Sequence, residues 1–231
     1  MRTRRFLGLH IRDNPNLYLF VGTLIAVGGV FGLYLVRALT YEQQQDLDSF
    51  LAGYLSRLGD AAARDAAGSF RGSLLLYGQW LAAIWLLGLS VIGLPLVFAI
   101  VFLKGVLSGF AAGVLIGEYS WKGFLLALAA LVPKNALALP ALTVAAVSAA
   151  RFARIAVNRR LFRKKGSLGP PLAAHTAACA LMMGVLCLAS LMEAYVSPWL
   201  MNWIAPRARI PDLVLSAGAL GTFDFLFSPP L

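Results

Sequence analysis

Gly105, Gly109, Gly113 and Gly117 recur at every fourth position inside the apolar run from Leu96 to Gly117. On a helix, positions four apart share a face. Glycine lowers helix propensity by about 1 kcal/mol relative to alanine, so four in register require a compensating gain. In a bilayer that gain is close packing, because a stripe without side chains admits another helix backbone. The run is long enough to cross a membrane. The chain is 60% hydrophobic and 13% charged, against about 45–50% and about 25% in soluble domains. These features predict an all-α polytopic membrane helix bundle.

Five apolar runs suit five transmembrane helices, at about 17–35, 73–92, 96–117, 123–150 and 172–195. Residues 1–16 form a basic N-terminus, 17–201 the membrane domain and 202–231 a C-terminal tail. Gly28 and Gly32 give the first span a small-residue pair of its own. Pro95 marks a tight break before the third span, and Pro133 and Pro140 predict a kinked or locally unwound fourth span. Between spans one and two, Leu47, Phe50, Leu51, Tyr54, Leu55 and Leu58 share one helical face. That pattern predicts an amphipathic helix at the membrane surface or on a partner. Glu118–Lys122 reads as a short polar link with Tyr119 and Trp121 as interfacial anchors.

Arg151, Arg154, Arg159, Arg160, Arg163, Lys164 and Lys165 crowd into one stretch that holds no acid. With the arginines of the N-terminus, they orient the chain by the positive-inside rule. Four spans lie between the two basic segments, so both sit in the cytoplasm. The amphipathic segment and the C-terminus then face outward. The basic run is read as topological, and nucleic acid is not expected as a partner. The lipid bilayer is.

Lys104 and Lys134, with the neighbouring Asn135, are the intramembrane polar residues. Lys104 lies about 14 Å beyond Pro95, and Lys134 about 20 Å beyond Trp121. No carboxylate is expected at those depths, and Glu193 falls near the outer end of span five. Such lysines snorkel, face a hydrated cavity or meet carbonyls freed by prolines. An intramembrane serine protease would need Ser108 and His175 within about 3 Å. Ser108 lies about 20 Å from the cytoplasmic break and His175 about 5 Å in, so the pair is not expected. Cys179 and Cys187 share one apolar segment and read as packing residues. The sequence offers no metal set, no phosphate-binding loop and no carboxylate pair. No cofactor and no enzymatic activity are expected.

Several short motifs then converge. They are Asn16-Leu17-Tyr18-Leu19-Phe20, Gly88-Leu89-Ser90-Val91-Ile92-Gly93-Leu94-Pro95, Phe102-Leu103-Lys104-Gly105 and Gly109. Pro133-Lys134-Asn135 with Pro140, and Glu193-Ala194-Tyr195-Val196-Ser197-Pro198, complete the set. Together they resemble the stage II sporulation protein M family over about residues 10 to 201. Many broader relatives carry a His-Gly and a downstream Glu where this chain has Lys134-Asn135 and Ala138. The departure points to the sporulation branch.

The resemblance implies a non-enzymatic scaffold in the mother-cell membrane of the sporulation septum. It would recruit and hold two peptidoglycan hydrolases, the D- and P-type stage II sporulation proteins, for engulfment. Candidate contacts are Phe50, Tyr54 and Leu58 on the amphipathic face, with Glu193 and Tyr195. A homo-oligomer is compatible with the same small-residue surfaces. The alternative is a permease-like subunit with Lys104 and Lys134 near a substrate path. A connected polar cavity at both lysines would favour transport; a closed, glycine-packed bundle would favour the scaffold.

Overall fold

The computed structural model describes residues 15–39, 66–90, 92–161, 169–196 and 199. Four α-helices and one π-helical turn make up the described fold: α1 Pro15–Ala38, α2 Ala66–Gly88, α3 Leu94–Leu161, α4 Gly169–Leu191 and the turn Met192–Val196. No strand occurs among the described residues. Three of the helices carry proline in their first turn: Pro15 in α1, Pro95 in α3, and Pro170 with Pro171 in α4. Proline there loses no intrahelical hydrogen bond, and its fixed φ suits a helix start.

α3 is 68 residues long. A straight helix would set Lys104 and Lys134, thirty positions apart in the sequence, about 45 Å from each other. Yet Lys104 lies over the Tyr77 ring, the Tyr77 hydroxyl reaches Glu193, and Glu193 is paired with Lys134. The helical run therefore folds back on itself between its two membrane-length arms, Leu94–Gly117 and Leu131–Asn158. The stretch expected as a polar link, Glu118–Lys122, lies within this run. Trp121 is exposed there and stacks on Phe124, centroids 5.3 Å apart.

Pro133 and Pro140 lie inside the helix, so neither breaks it and the expected local unwinding does not occur there. Helical continuity keeps the surrounding backbone paired where no water is available to substitute. Pro95 does sit at a break. α2 ends at Gly88, and Leu89, Ser90 and Gly93 donate to the carbonyls of Leu86, Leu87 and Ser90 through successive tight turns. Gly93 packs so close to Leu87 that a Cβ would strike its carbonyl.

Among the described residues, four helical stretches are long and apolar enough to cross a membrane: Pro15–Ala38, Leu94–Gly117, Leu131–Asn158 and Gly169–Val196. The fifth expected span, α2, is not among them. Its 23 residues suffice in length, but Arg71, Gln79 and several glycines dilute its hydropathy. Its packing is nonetheless internal. Trp85 Nε1 donates to Thr176 Oγ1 at 3.2 Å, Gly78 faces Met183, and Tyr77 reaches Glu193. Residue numbers fall along α2 as they rise along α4, so the two run antiparallel.

The core joins all four helices. Tyr77, Leu81 and Ile84 of α2 meet Val97 and Val101 of the first arm, Leu142 and Ala145 of the second, and Leu186 of α4. The second arm contributes Ala138, Ala141, Ala145, Ala146 and Ala149, which let neighbouring helices come close. α1 instead turns Leu19 and Val30 outward, 72% and 70% exposed. Such surface suits acyl chains, in which outward apolar residues carry no penalty.

Candidate functional site

Two sites stand out, one built by removing side chains and one by charging them. The first is the seam between α1 and the first arm of α3. A Cβ on Gly109 would strike the Gly29 carbonyl, one on Gly105 the Ile25 carbonyl, and one on Gly32 the Val106 carbonyl. Gly28 meets Phe102, and Gly113 would bring a Cβ to 2.9 Å from Val36 Cγ2. Contact positions on both helices rise together, so these helices run parallel. Phe20 packs edge-on against Phe98, centroids 5.2 Å apart, at the start of the seam. The stripe reading holds for Gly105, Gly109 and Gly113. Among the described residues nothing lies within 4 Å of a Cβ on Gly117, which falls one turn beyond Gly113, the position facing Val36 near the end of α1 at Ala38.

The second site is a buried polar lock. Lys104, Lys134 and Glu193 are 4%, 5% and 7% exposed. Lys134 Nζ donates to Glu193 Oε1 at 3.0 Å, and the Tyr77 hydroxyl donates to Oε2 at 3.3 Å. Both carboxylate oxygens are thus engaged. Lys104 Nζ lies 5.2 Å from the Tyr77 ring centroid and 5.6 Å from that of Trp80. A desolvated cation over aromatic faces gains about 2 kcal/mol or more.

The expectation that no carboxylate reaches the lysines is corrected here. The cause is local: Met192–Val196 winds as a π-helix, with Glu193 and Ala194 buried. A π-turn adds a residue to the helical turn and re-aims the side chains within it, and here Glu193 points inward. Tyr195, expected beside Glu193 as a partner contact, is 57% exposed. Asn135 is half-buried on the second arm, next to Lys134 in sequence but outside the lock.

His175 is 1% exposed. Its Nδ1 lies 3.0 Å from Ser148 Oγ, and the Phe152 ring stacks on it at 6.0 Å. Ser148, not Ser108, is therefore the serine beside the histidine. Cys179 is buried, its sulfur 4.0 Å from the same Nδ1. Cys179 and Cys187 are both free thiols. No group of three or more His, Cys, Asp or Glu that could hold a metal occurs among the described residues.

Arg151 is half-buried and Arg154 exposed near the end of the second arm, and Arg159 and Arg160 continue α3. Arg163, Lys164 and Lys165 lie outside the described residues, as do Phe50, Tyr54 and Leu58 with the whole expected amphipathic helix, the basic N-terminus and the tail 202–231.

Sequence reasoning missed Tyr77 and Ser148. Tyr77 carried a usable signal: Tyr77, Leu81 and Ile84 share one face of α2 and are all buried. A tyrosine on a buried stripe needs a partner for its hydroxyl. Ser148 is one more small residue in an alanine-rich arm, and nothing local marked it.

A hairpin of membrane-length helix, a parallel glycine seam and an internal ion pair define a multi-pass membrane protein. The chain matches the family described as Stage II sporulation protein M over residues 21–198, more than half its length, and belongs to that family. The match runs from α1 to just past the π-turn. No curated protein and no solved structure matches it.

Proposed function

We propose that this protein is a non-enzymatic integral membrane scaffold. It recruits and holds peptidoglycan hydrolases, the D- and P-type stage II sporulation proteins, at the septum during engulfment. The observation that carries this reading is how the bundle uses its intramembrane charges. Glu193 is bound through both oxygens, to Lys134 and Tyr77, and Lys104 rests over two aromatic rings. Such lysines act as internal fastenings rather than as the lining of a substrate path. The glycine seam adds a second fixed interface, and family membership supplies the sporulation context.

In this reading α2 crosses the membrane despite its modest hydropathy, since it lies antiparallel along α4. The N-terminus and the Arg151–Lys165 stretch are then cytoplasmic, and the C-terminus is extracytoplasmic. The test is affinity purification from sporulating cells, with a parallel assay of the purified protein on peptidoglycan. The scaffold reading expects both hydrolases to co-purify and the isolated protein to release no fragments. Fragment release by the protein alone, or purification without either hydrolase, overturns it.

A further inference from the structure

His175 belongs to neither the seam nor the lock, yet it is among the most buried side chains of the bundle. It sits where α2, α4 and the second arm of α3 meet. Ser148 Oγ lies 3.0 Å from Nδ1, and Phe152 of the same arm stacks on the ring. α2 ends against the other nitrogen. A Cβ on Gly88 would come to 3.1 Å from Nε2 and 2.6 Å from Ala149 Cβ. Nε2 is buried and forms no hydrogen bond. The Trp85 carbonyl, in the last turn of α2, faces the ring.

A neutral imidazole donates through one nitrogen, whereas the cation donates through both. Charging the ring would put an ion into a packed site, which is costly unless an opposite charge pairs it. Among the described side chains no carboxylate does so. Glu193 is eighteen positions further along α4, about 27 Å away, and is engaged in the lock. The charged neighbours have the wrong sign: Arg151 and Arg154 follow Ser148 on the second arm. The other titratable groups at this end are Cys179, 4.0 Å from Nδ1, and Tyr18 on α1, which senses the Arg151 charge. α2 has none after Tyr77, and the first arm none before Lys104. The Trp85 carbonyl would offset only part of the cost. Histidine is the member of this cluster whose charge changes between about pH 5 and 8.

We infer that His175 is a proton-operated release for the Gly88 end of α2. Neutral, the ring fills the space between Gly88, Ser148 and Phe152. The proton comes from water at the start of α4, six positions before His175 and about 9 Å away. Once protonated, the ring drives α2 aside until water solvates the charge. The open form binds the proton more readily than the closed one, so closure weakens as pH falls. This inference stands apart from the hydrolase reading, and its test contains no hydrolase.

The full chain with Cys187→Ser, which leaves Cys179 as its thiol, is reconstituted in phosphatidylglycerol–phosphatidylethanolamine nanodiscs. Dithiodipyridine, which attacks thiols in acid as well as at neutral pH, reads the exposure of Cys179. Each rate is divided by that of free cysteine at the same pH. Lowering the pH from about 7.5 to about 5.5, across the histidine range, should raise the corrected rate about tenfold. His175→Gln keeps an amide for Ser148 but does not titrate, and its corrected rate should not change with pH. A second reporter leaves His175 in place: Leu186→Cys with Cys179→Ala, at a fully buried position further along α4, should stay protected at both pH values. That separates release of one helix end from acid unfolding of the bundle. A pH-independent rate with His175 present, the same pH dependence in His175→Gln, or parallel exposure at positions 179 and 186 would each overturn the inference.

Discussion

The glycine seam and the polar lock hold the same bundle by opposite means. On the α1 side, helices approach until backbone touches backbone, and the contact residues are those with nothing beyond Cα. On the α2–α4 side, buried lysine, tyrosine and glutamate side chains join the helices through their polar ends. The seam depends on space and is indifferent to charge. The lock depends on charge and has room for other side chains of similar volume. Dispersion alone holds the first. The second offsets a large desolvation cost by engaging both oxygens of one carboxylate.

The largest expected effect is at the lock. Glu193→Ala leaves the Lys134 ammonium beside an apolar gap, and removing one partner of a buried pair costs about 3–5 kcal/mol. The variant should accumulate poorly in the membrane and melt far below wild type in detergent. Replacing both members, Lys134→Met with Glu193→Leu, should recover most of the loss, because an apolar pair of similar volume is often neutral. A double variant as unstable as the single one would show that volume, not charge, rules this side too.

At the seam the sign of the same logic reverses. Gly109→Ala adds one methyl group and no charge, yet that methyl meets the Gly29 carbonyl. Overpacking of this kind costs about 1–3 kcal/mol, although alanine is the better helix former. Thermal unfolding in detergent should show the drop. An unchanged melting curve would mean that the two helices slide freely past each other.

Much of this contrast was legible in the sequence, and the reason differs by site. A glycine register is a local, periodic pattern, so Gly105, Gly109 and Gly113 could be read directly, with Gly28 and Gly32 as counterparts. The lock joins Tyr77, Lys104, Lys134 and Glu193, separated by up to 116 positions. Only the fold-back of α3 and the π-turn bring them together. Depth counted along separate straight spans placed Glu193 too far out, because it assumed ordinary helical winding through Met192–Val196. Pro133 and Pro140 misled for a related reason: proline argues for a break in water, whereas a bilayer argues for an unbroken helix.

A smaller change probes the lock without unbalancing it. Tyr77→Phe removes the hydroxyl that donates to Glu193 Oε2 but keeps the ring beneath Lys104. The ion pair with Lys134 remains. Hydrogen bonds between membrane helices average about 0.6 kcal/mol and reach about 1.7, so a loss of about 1 kcal/mol is expected. Tyr77→Leu, which also removes the ring, should cost clearly more. Equal losses for the two variants would assign Tyr77 to packing alone.

The smallest effect is expected at Gly117, and there the sign should be favourable. Gly117 continues the fourfold register of Gly105, Gly109 and Gly113, so pattern alone predicts that a side chain would do harm. In the fold it is exposed, and among the described residues nothing lies within 4 Å of where a Cβ would go. Only the helix propensity term then remains, worth about 0.8–1.0 kcal/mol in favour of alanine in water. Gly117→Ala should raise the melting temperature slightly or leave it unmoved, while Gly109→Ala lowers it. Four residues of one stripe would thus divide into three that set the distance between helices and one that does not. A destabilised Gly117→Ala would extend the seam beyond α1 and place another helix against the end of the first arm.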